Sequence, residues 1–128
     1  MRFTSVVSFA VLALLGQASA SLPMPRSQAP SFTNLNAVDP SQEFTKLSLS
    51  DYKGKYVVLV FYPFDFTYVS PTELISFSEN IQKFKDLGAE VVGVSTDSHF
   101  THLAWLKTKR EDGGLGKIDY PLIADISK

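Results

Sequence analysis

The sequence predicts an α/β domain built on a parallel sheet, and three features carry that reading. Two continuous apolar runs, "YVVLVFY" at 56–62 and "AEVVGVS" at 89–95, have the β-branched content of strands covered on both faces. A shorter run of the same kind, "YPLIAD", stands at 120–125. Between the runs lie two stretches of helical spacing, and strand–helix–strand–helix–strand means βαβ units with right-handed crossovers.

The elements follow in order. The first twenty residues, "MRFTSVVSFAVLALLGQASA", have a basic start at Arg2, an apolar stretch from Val6 to Leu15 and small residues at the end. That is the pattern of a secretory signal cleaved after Ala20, with an uncleaved N-terminal anchor as the alternative. The apolar stretch is short of the ~20 residues a spanning helix needs. Residues 21–30, "SLPMPRSQAP", form a flexible leader, and 31–128 the single folded domain. "SFTNLNAV" and "EFTKLSLS" alternate apolar and polar residues around "DPSQ", as two short strands joined by a turn do. "DYKGK" is a turn. After the strand at 56–62, a helix is expected from Pro71 to about Leu87, with Leu74, Phe77, Ile81 and Phe84 on one face and Gly88 as its stop. A second helix is expected from Ser98 to about Arg110 with Phe100, Leu103 and Leu106 inward.

Bulk properties narrow the function. Apolar residues make up 45% and charged residues 20%, the balance of a folded chain rather than a disordered one. Net charge is −1 with both signs interspersed, so nothing favours nucleic acid or an anionic membrane as partner. The chain has no cysteine: it forms no disulfide and offers no thiolate as nucleophile or metal ligand.

Local chemistry centres on Ser70. Ser70–Pro71–Thr72–Glu73 reads as S-x-x-E with proline at the first helical position, so Ser70 is expected to cap the helix while Glu73 reaches back to its N–H. A hydrolase nucleophile needs an adjacent base and an orienting group; His99, His102 and Asp97 exist, but the G-x-S-x-G elbow is absent. His99 and His102 share a helical face with Asp97 nearby, yet no further zinc ligands are evident, and two ordinary histidines on a partly exposed helix are the plainer expectation. "GGLG" at 113–116 lacks nucleotide-loop spacing and reads as a flexible turn.

"YKGKYVVLVFYPFDFTYVSPTE", "VVGVSTDSHFTHLAW", "GGLG" and "YPLIAD", in that order, closely resemble the peroxiredoxins of the typical two-cysteine kind. The likeness runs from about Ala29 to Ile126. It implies a thioredoxin-like fold and thioredoxin-dependent reduction of hydrogen peroxide and alkyl hydroperoxides, with no metal or organic cofactor. The family motif is P-x-x-x-T-x-x-C. Here Pro63 and Thr67 match it, and Ser70 stands at the position of the attacking cysteine. The resemblance assigns Pro63 to shielding the site and the Thr67 hydroxyl to the sulfur and the peroxide. It assigns Glu73 to the surrounding hydrogen-bond network.

Two departures qualify that reading. An aliphatic alcohol ionises far above a thiol, which starts at pKa ~8.5, and oxygen has no sulfenic acid cycle. The family also continues past the strand at 120–125, with an active-site arginine, two strands, a helix and a resolving cysteine; neither Arg26 nor Arg110 matches that arginine. The C-terminal strands are therefore expected to be missing, leaving the strand at 56–62 with an open edge. The resulting expectation is a peroxiredoxin-family chain without peroxidase turnover. The alternatives are a non-catalytic interaction or structural subunit and, weaker, a serine hydrolase. Expected partners are a peroxide, a thioredoxin-like reductant and further copies in a homodimer or ring. The expected compartment is the ER lumen or the exterior, or else a plastid reached through the ER.

Overall fold

The computed structural model describes residues 24–127. The expected signal at 1–20 and the first residues of the leader lie outside them. The chain divides into two units between Pro30 and Ser31. In the first, the Ser27 hydroxyl donates to the Met24 carbonyl at 2.6 Å and closes a turn. The second carries the sheet.

Its strands are β1 (Leu35–Val38), β2 (Phe44–Leu47), β3 (Tyr56–Phe61), β4 (Ala89–Ser95) and β5 (Leu122–Ala124), and its helices are α1 (Ser70–Glu79), α2 (Ile81–Asp86) and α3 (His99–Lys107). They form one five-stranded mixed sheet in the order β2-β1-β5-β4-β3. β3, β4 and β5 run parallel, while β1 is antiparallel to β5 and to β2. The turn between β1 and β2 is fixed by Asp39, whose carboxylate accepts from the Ser41 and Glu43 amides at 2.8 and 3.0 Å. That is the local side-chain chemistry by which Asp favours turns.

Alternation along β4 sends Val91 to one face and Val92 and Val94 to the other. The first face packs Val91, Leu122, Tyr120 and Ile118 against Leu74 of α1 and Trp105 and Leu106 of α3. The second packs Val92, Val94, Ile123 and Ala37 against Phe32, Leu47 and Tyr52. Gly93 lies under Leu122: a Cβ there would sit 2.5 Å from Leu122 Cδ2. The Leu122 side chain fills the space a Cβ at residue 93 would occupy, so any larger residue there must displace it.

Four expectations are corrected. β3 is an outer strand among the described residues, in keeping with the open edge expected for 56–62, but Val57–Val60 are half-buried and Tyr56 and Phe61 exposed, where cover on both faces was expected. The single helix over 71–87 is two helices broken at Asn80, whose side-chain amide donates to the Ser76 carbonyl at 2.9 Å. Such side-chain competition for backbone carbonyls disfavours Asn inside helices. The apolar face nevertheless persists across the break, with Leu74 buried and Phe77, Ile81 and Phe84 packed beside it. In α3, Leu106 is buried and Leu103 packs against the core as expected, but Phe100 is 64% exposed, and His102 and Trp105 complete the buried face. Finally, "GGLG" is packed: Gly114 and Leu115 are buried, and their amides donate to the Lys109 and Trp105 carbonyls.

Candidate functional site

Parallel topology puts the carboxyl ends of β3, β4 and β5 at one edge of the sheet, where α/β proteins place their ligands. The segment 62–69 leaves β3 at that edge and delivers Ser70 to the start of α1. Ser70 is buried. It is the first residue of α1, with Val69 in the capping position and Pro71 next inside. The expected cap is therefore not formed. The Val69 carbonyl accepts instead from the Thr72 amide and the Thr72 hydroxyl, at 3.1 and 2.7 Å. Because Val69 already has helical dihedrals, the helix begins one residue early and Ser70 cannot take the extended conformation a cap needs. Among the described residues the Ser70 hydroxyl has no hydrogen-bond partner, and Glu73 is exposed without one.

The other motif residues sit in the loop before it. The Thr67 hydroxyl donates to the Phe64 carbonyl at 2.9 Å, tying the loop to itself. Pro63 is exposed at the loop's start. Phe66 has φ 55°, the left-handed region that costs a residue with a Cβ roughly 1–2 kcal/mol. Strain of that kind persists only where the surroundings over-determine the backbone.

The surroundings here are a buried polar network that the sequence reading missed. Asp65 precedes Phe66, and its carboxylate accepts from the Tyr62 hydroxyl at 2.9 Å and meets His102 Nδ1 at 2.7 Å. Both the Asp65 and His102 side chains are wholly buried. His102 Nε2 donates to the Ile123 carbonyl of β5 at 3.1 Å. The Asp65 amide donates to the Asp97 carboxylate at 2.9 Å, and the Ser95 hydroxyl donates to the same oxygen at 2.8 Å. The loop is thus held by residues from the ends of β4 and β5 and from α3. Because a carbonyl only accepts, the ring proton on Nε2 faces Ile123.

Burial first, and then the adjacent Asp65 carboxylate, push the Tyr62 phenol far above its ordinary range. The folded phenol keeps its proton where an unfolded one has lost it. Its contribution to stability is complete below pH ~10 and falls away as pH rises above that.

His102 has both ring nitrogens engaged, so neither can take a proton from Ser70 as a triad base must. His99 lies apart from it, half-buried between Phe44 and Phe100 with ring centroids at 4.9 and 4.1 Å. No group of three metal-ligating side chains exists among the described residues. The signal for the network was present in the sequence: His102, Trp105 and Leu106, spaced by three and one, form a stripe that puts the histidine on the buried face, where it needs a partner.

The AhpC/TSA family model matches residues 25–128. Rat peroxiredoxin-2 is 57% identical over 100 residues, 78% of this chain and 50% of its own length. A mitochondrial thioredoxin-dependent peroxide reductase of Drosophila melanogaster is 53% identical over 78% of this chain and 42% of its own. The reduced crystal structure of the Plasmodium vivax 2-Cys peroxiredoxin superposes with a TM-score of 0.75 at 42% identity, over 78% of this chain and 52% of that one. Plasmodium yoelii thioredoxin peroxidase I gives 0.76 at 50% identity, over 80% and 59%. The chain spans about half the length of the curated relatives it matches. The fold is the thioredoxin-like fold of these structures.

Proposed function

The chain belongs to the AhpC/TSA family, the peroxiredoxins, and on that premise we propose that it presents the peroxide-reacting site of a thiol peroxidase with an oxygen in place of the reactive sulfur. The observation that carries this reading is the position of Ser70. It lies buried at the first turn of α1, at the end of a Pro63-x-x-x-Thr67 loop held at the carboxyl edge of the sheet. A thiolate there would be stabilised by the helix N-terminus and would attack a peroxide oxygen. The Ser70 hydroxyl holds its proton at neutral pH and has no lower-energy oxidised form to pass through, so the proposed activity of the chain itself is none. Pro63 at the loop's start would shield the site. Thr67, whose hydroxyl here donates to the Phe64 carbonyl, would have to turn it to the attacking atom and the peroxide, and Glu73, here exposed, would have to turn inward to support the network around them.

The test is turnover. The purified chain, given hydrogen peroxide, thioredoxin, thioredoxin reductase and NADPH, is expected to oxidise NADPH no faster than a control without it. Turnover above that control would refute the reading. The exposed aromatic side chains around the loop favour a second reading, a non-catalytic peroxiredoxin-like subunit: Phe64 and Phe66 are half-exposed and Tyr68 is 97% exposed. Exposed apolar clusters of that kind mark association surfaces. A homodimer or ring, on its own or with a full-length peroxiredoxin, is the assembly this reading expects, and sedimentation at several concentrations measures it.

We further propose that residues 1–20 are a secretory signal and 21–30 a flexible leader to the domain at 31–128. Entry to the secretory pathway would follow, ending in the ER lumen, the exterior or a plastid reached through the ER. N-terminal sequencing of the protein made by secreting cells is expected to begin at Ser21. A start at Met1 would contradict the cleavage.

A further inference from the structure

We propose that His102 is a positioning residue for the site loop, acting through Asp65 to hold the backbone of residues 63–70 in the one conformation that brings residue 70 to the start of α1. The inference rests on reading that loop as the bearer of the reactive residue. It does not depend on peroxide chemistry in this chain.

Three observations converge on it. First, the loop contains a backbone that does not hold itself. Phe66 sits at φ 55°, and the only side-chain hydrogen bond made within the loop is Thr67 to the Phe64 carbonyl. Second, the residue before the strained one is the anchor. Asp65 makes three bonds out of its immediate backbone: to Tyr62, to His102 and, through its amide, to Asp97. Third, His102 is itself fixed at its far side by the Ile123 carbonyl. Ile123 stands beside Val94 in the register of β4 and β5, so it is part of the most buried stretch of sheet. The path from sheet to loop therefore runs Ile123, His102, Asp65, Phe66, with one hydrogen bond or peptide link at each step. The side chains of the Asp65–His102 pair are shut off from solvent. Water cannot substitute for either partner there, and each bond is worth more than at the surface.

The two ring nitrogens have separate duties, and this makes the role testable. An asparagine amide nitrogen falls near His Nδ1 and can donate to Asp65. A glutamine amide nitrogen falls near Nε2 and can donate to Ile123. In the full chain, His102→Asn keeps the link to the loop and His102→Gln keeps the link to the sheet. Each loses one bond, so a role in general stability moves both alike. Amide exchange by NMR reads the loop at Asp65, whose N–H is bonded to Asp97, and at Thr72, bonded to Val69. Emission of Trp105 reads it independently, because Trp105 is the single tryptophan and the Phe66 ring lies 6.0 Å from its own.

In His102→Gln, exchange at Asp65 is expected to be at least about tenfold faster than in the parent, the least that losing one charged buried hydrogen bond implies, with a shift in Trp105 emission. In His102→Asn, which keeps the bond to Asp65 and cuts the path only at its sheet end, both readouts are expected to move in the same direction but clearly less. Equal acceleration in the two variants, or none in His102→Gln, overturns the proposal. Should either variant fail to fold, the unsubstituted chain still decides. A slowly exchanging proton on His102 Nε2 is required, and a bare Nε2 in the ring nitrogen spectrum overturns the path from β5. Failure of the peroxidase reading shows only in turnover and in oxidation at residue 70, and leaves these readouts untouched.

Discussion

A Ser70→Cys chain takes up one oxygen atom at residue 70 on brief contact with dilute hydrogen peroxide, while the parent chain takes up none. The structure makes this substitution unusually clean. Ser70 is buried, and its hydroxyl has no hydrogen-bond partner among the described residues, so exchanging oxygen for sulfur breaks no bond. Free cysteine is itself among the residue types most at home in protein interiors. The local field then acts on the new thiol. At the first turn of α1 the helix dipole favours a negative charge, and thiols in such places ionise well below the ordinary ~8.5.

The chemistry balances without a cofactor. The thiolate sulfur attacks one peroxide oxygen, the O–O bond breaks, hydroxide leaves and is protonated, and the sulfur is left as a sulfenic acid. Mass spectrometry of the intact chain and of the peptide containing residue 70 measures the gain. The thiolate absorbance against pH measures the ionisation, with a midpoint expected below that of a free cysteine. A Ser70→Cys chain inert to peroxide would show that the helix start alone does not activate sulfur here. Oxidation of the parent at residue 70 would show that oxygen suffices, against the whole reading.

How much of this could be read from the residues differs from place to place, for physical reasons. β4 is legible to the residue, Ala89–Ser95, because a strand covered on both faces is mostly apolar, with only Glu90 charged and half-buried, and glycine ends the helix before it. β3 is legible as a strand from its apolar run, but its outer place is set by which strands pair, which is tertiary information and enters the sequence reading only through the family resemblance. The S-x-x-E at Ser70–Glu73 misleads because a capping motif competes with the loop that feeds it. Here the loop arrives with Val69 already helical, and the hydroxyl of Thr72 takes the neighbouring bond. Of the face expected inward on α3, Leu106 is buried and Leu103 packs against the core, and only Phe100 departs, because side-chain type is a poorer guide there than spacing. Phe100 looks like core and is exposed, while His102 looks like surface and is buried, because its partner Asp65 comes from 37 residues earlier in the chain. Local sequence reading weighs a histidine by its own polarity, whereas burial depends on the pair.

The second large effect falls on Trp105, where the fold and the site share one support. Trp105→Ala is expected to lower unfolding free energy by about 3–5 kcal/mol, the usual cost of emptying a buried large aromatic site. Against a total of roughly 5–15 kcal/mol for a small domain, that is a large part of the whole. The side chain is fully buried in the helix-covered core, with Tyr62 and Phe66 each at 6.0 Å between ring centroids. Its Nε1–H donates to the Gly113 carbonyl at 3.1 Å and ties α3 to the glycine turn. Trp105→Phe separates the two contributions. It keeps most of the apolar contact and loses the hydrogen bond to a carbonyl at an exposed residue that water can reach, so a cost near 1 kcal/mol is expected. Denaturant midpoints followed by far-ultraviolet circular dichroism measure both without relying on the removed fluorophore. An alanine variant within about 1 kcal/mol of the parent would mean that the core closes around the gap. Coupling to the site adds a sharper consequence. Trp105 packs against Tyr62, which bonds Asp65, and against Phe66, which follows it. Trp105→Phe and His102→Gln made together should therefore depart from additivity, as neighbouring residues that share partners do. Strict additivity would mean that the aromatic support and the Asp65 anchor hold the loop independently, leaving the strained turn at Phe66 restrained twice over.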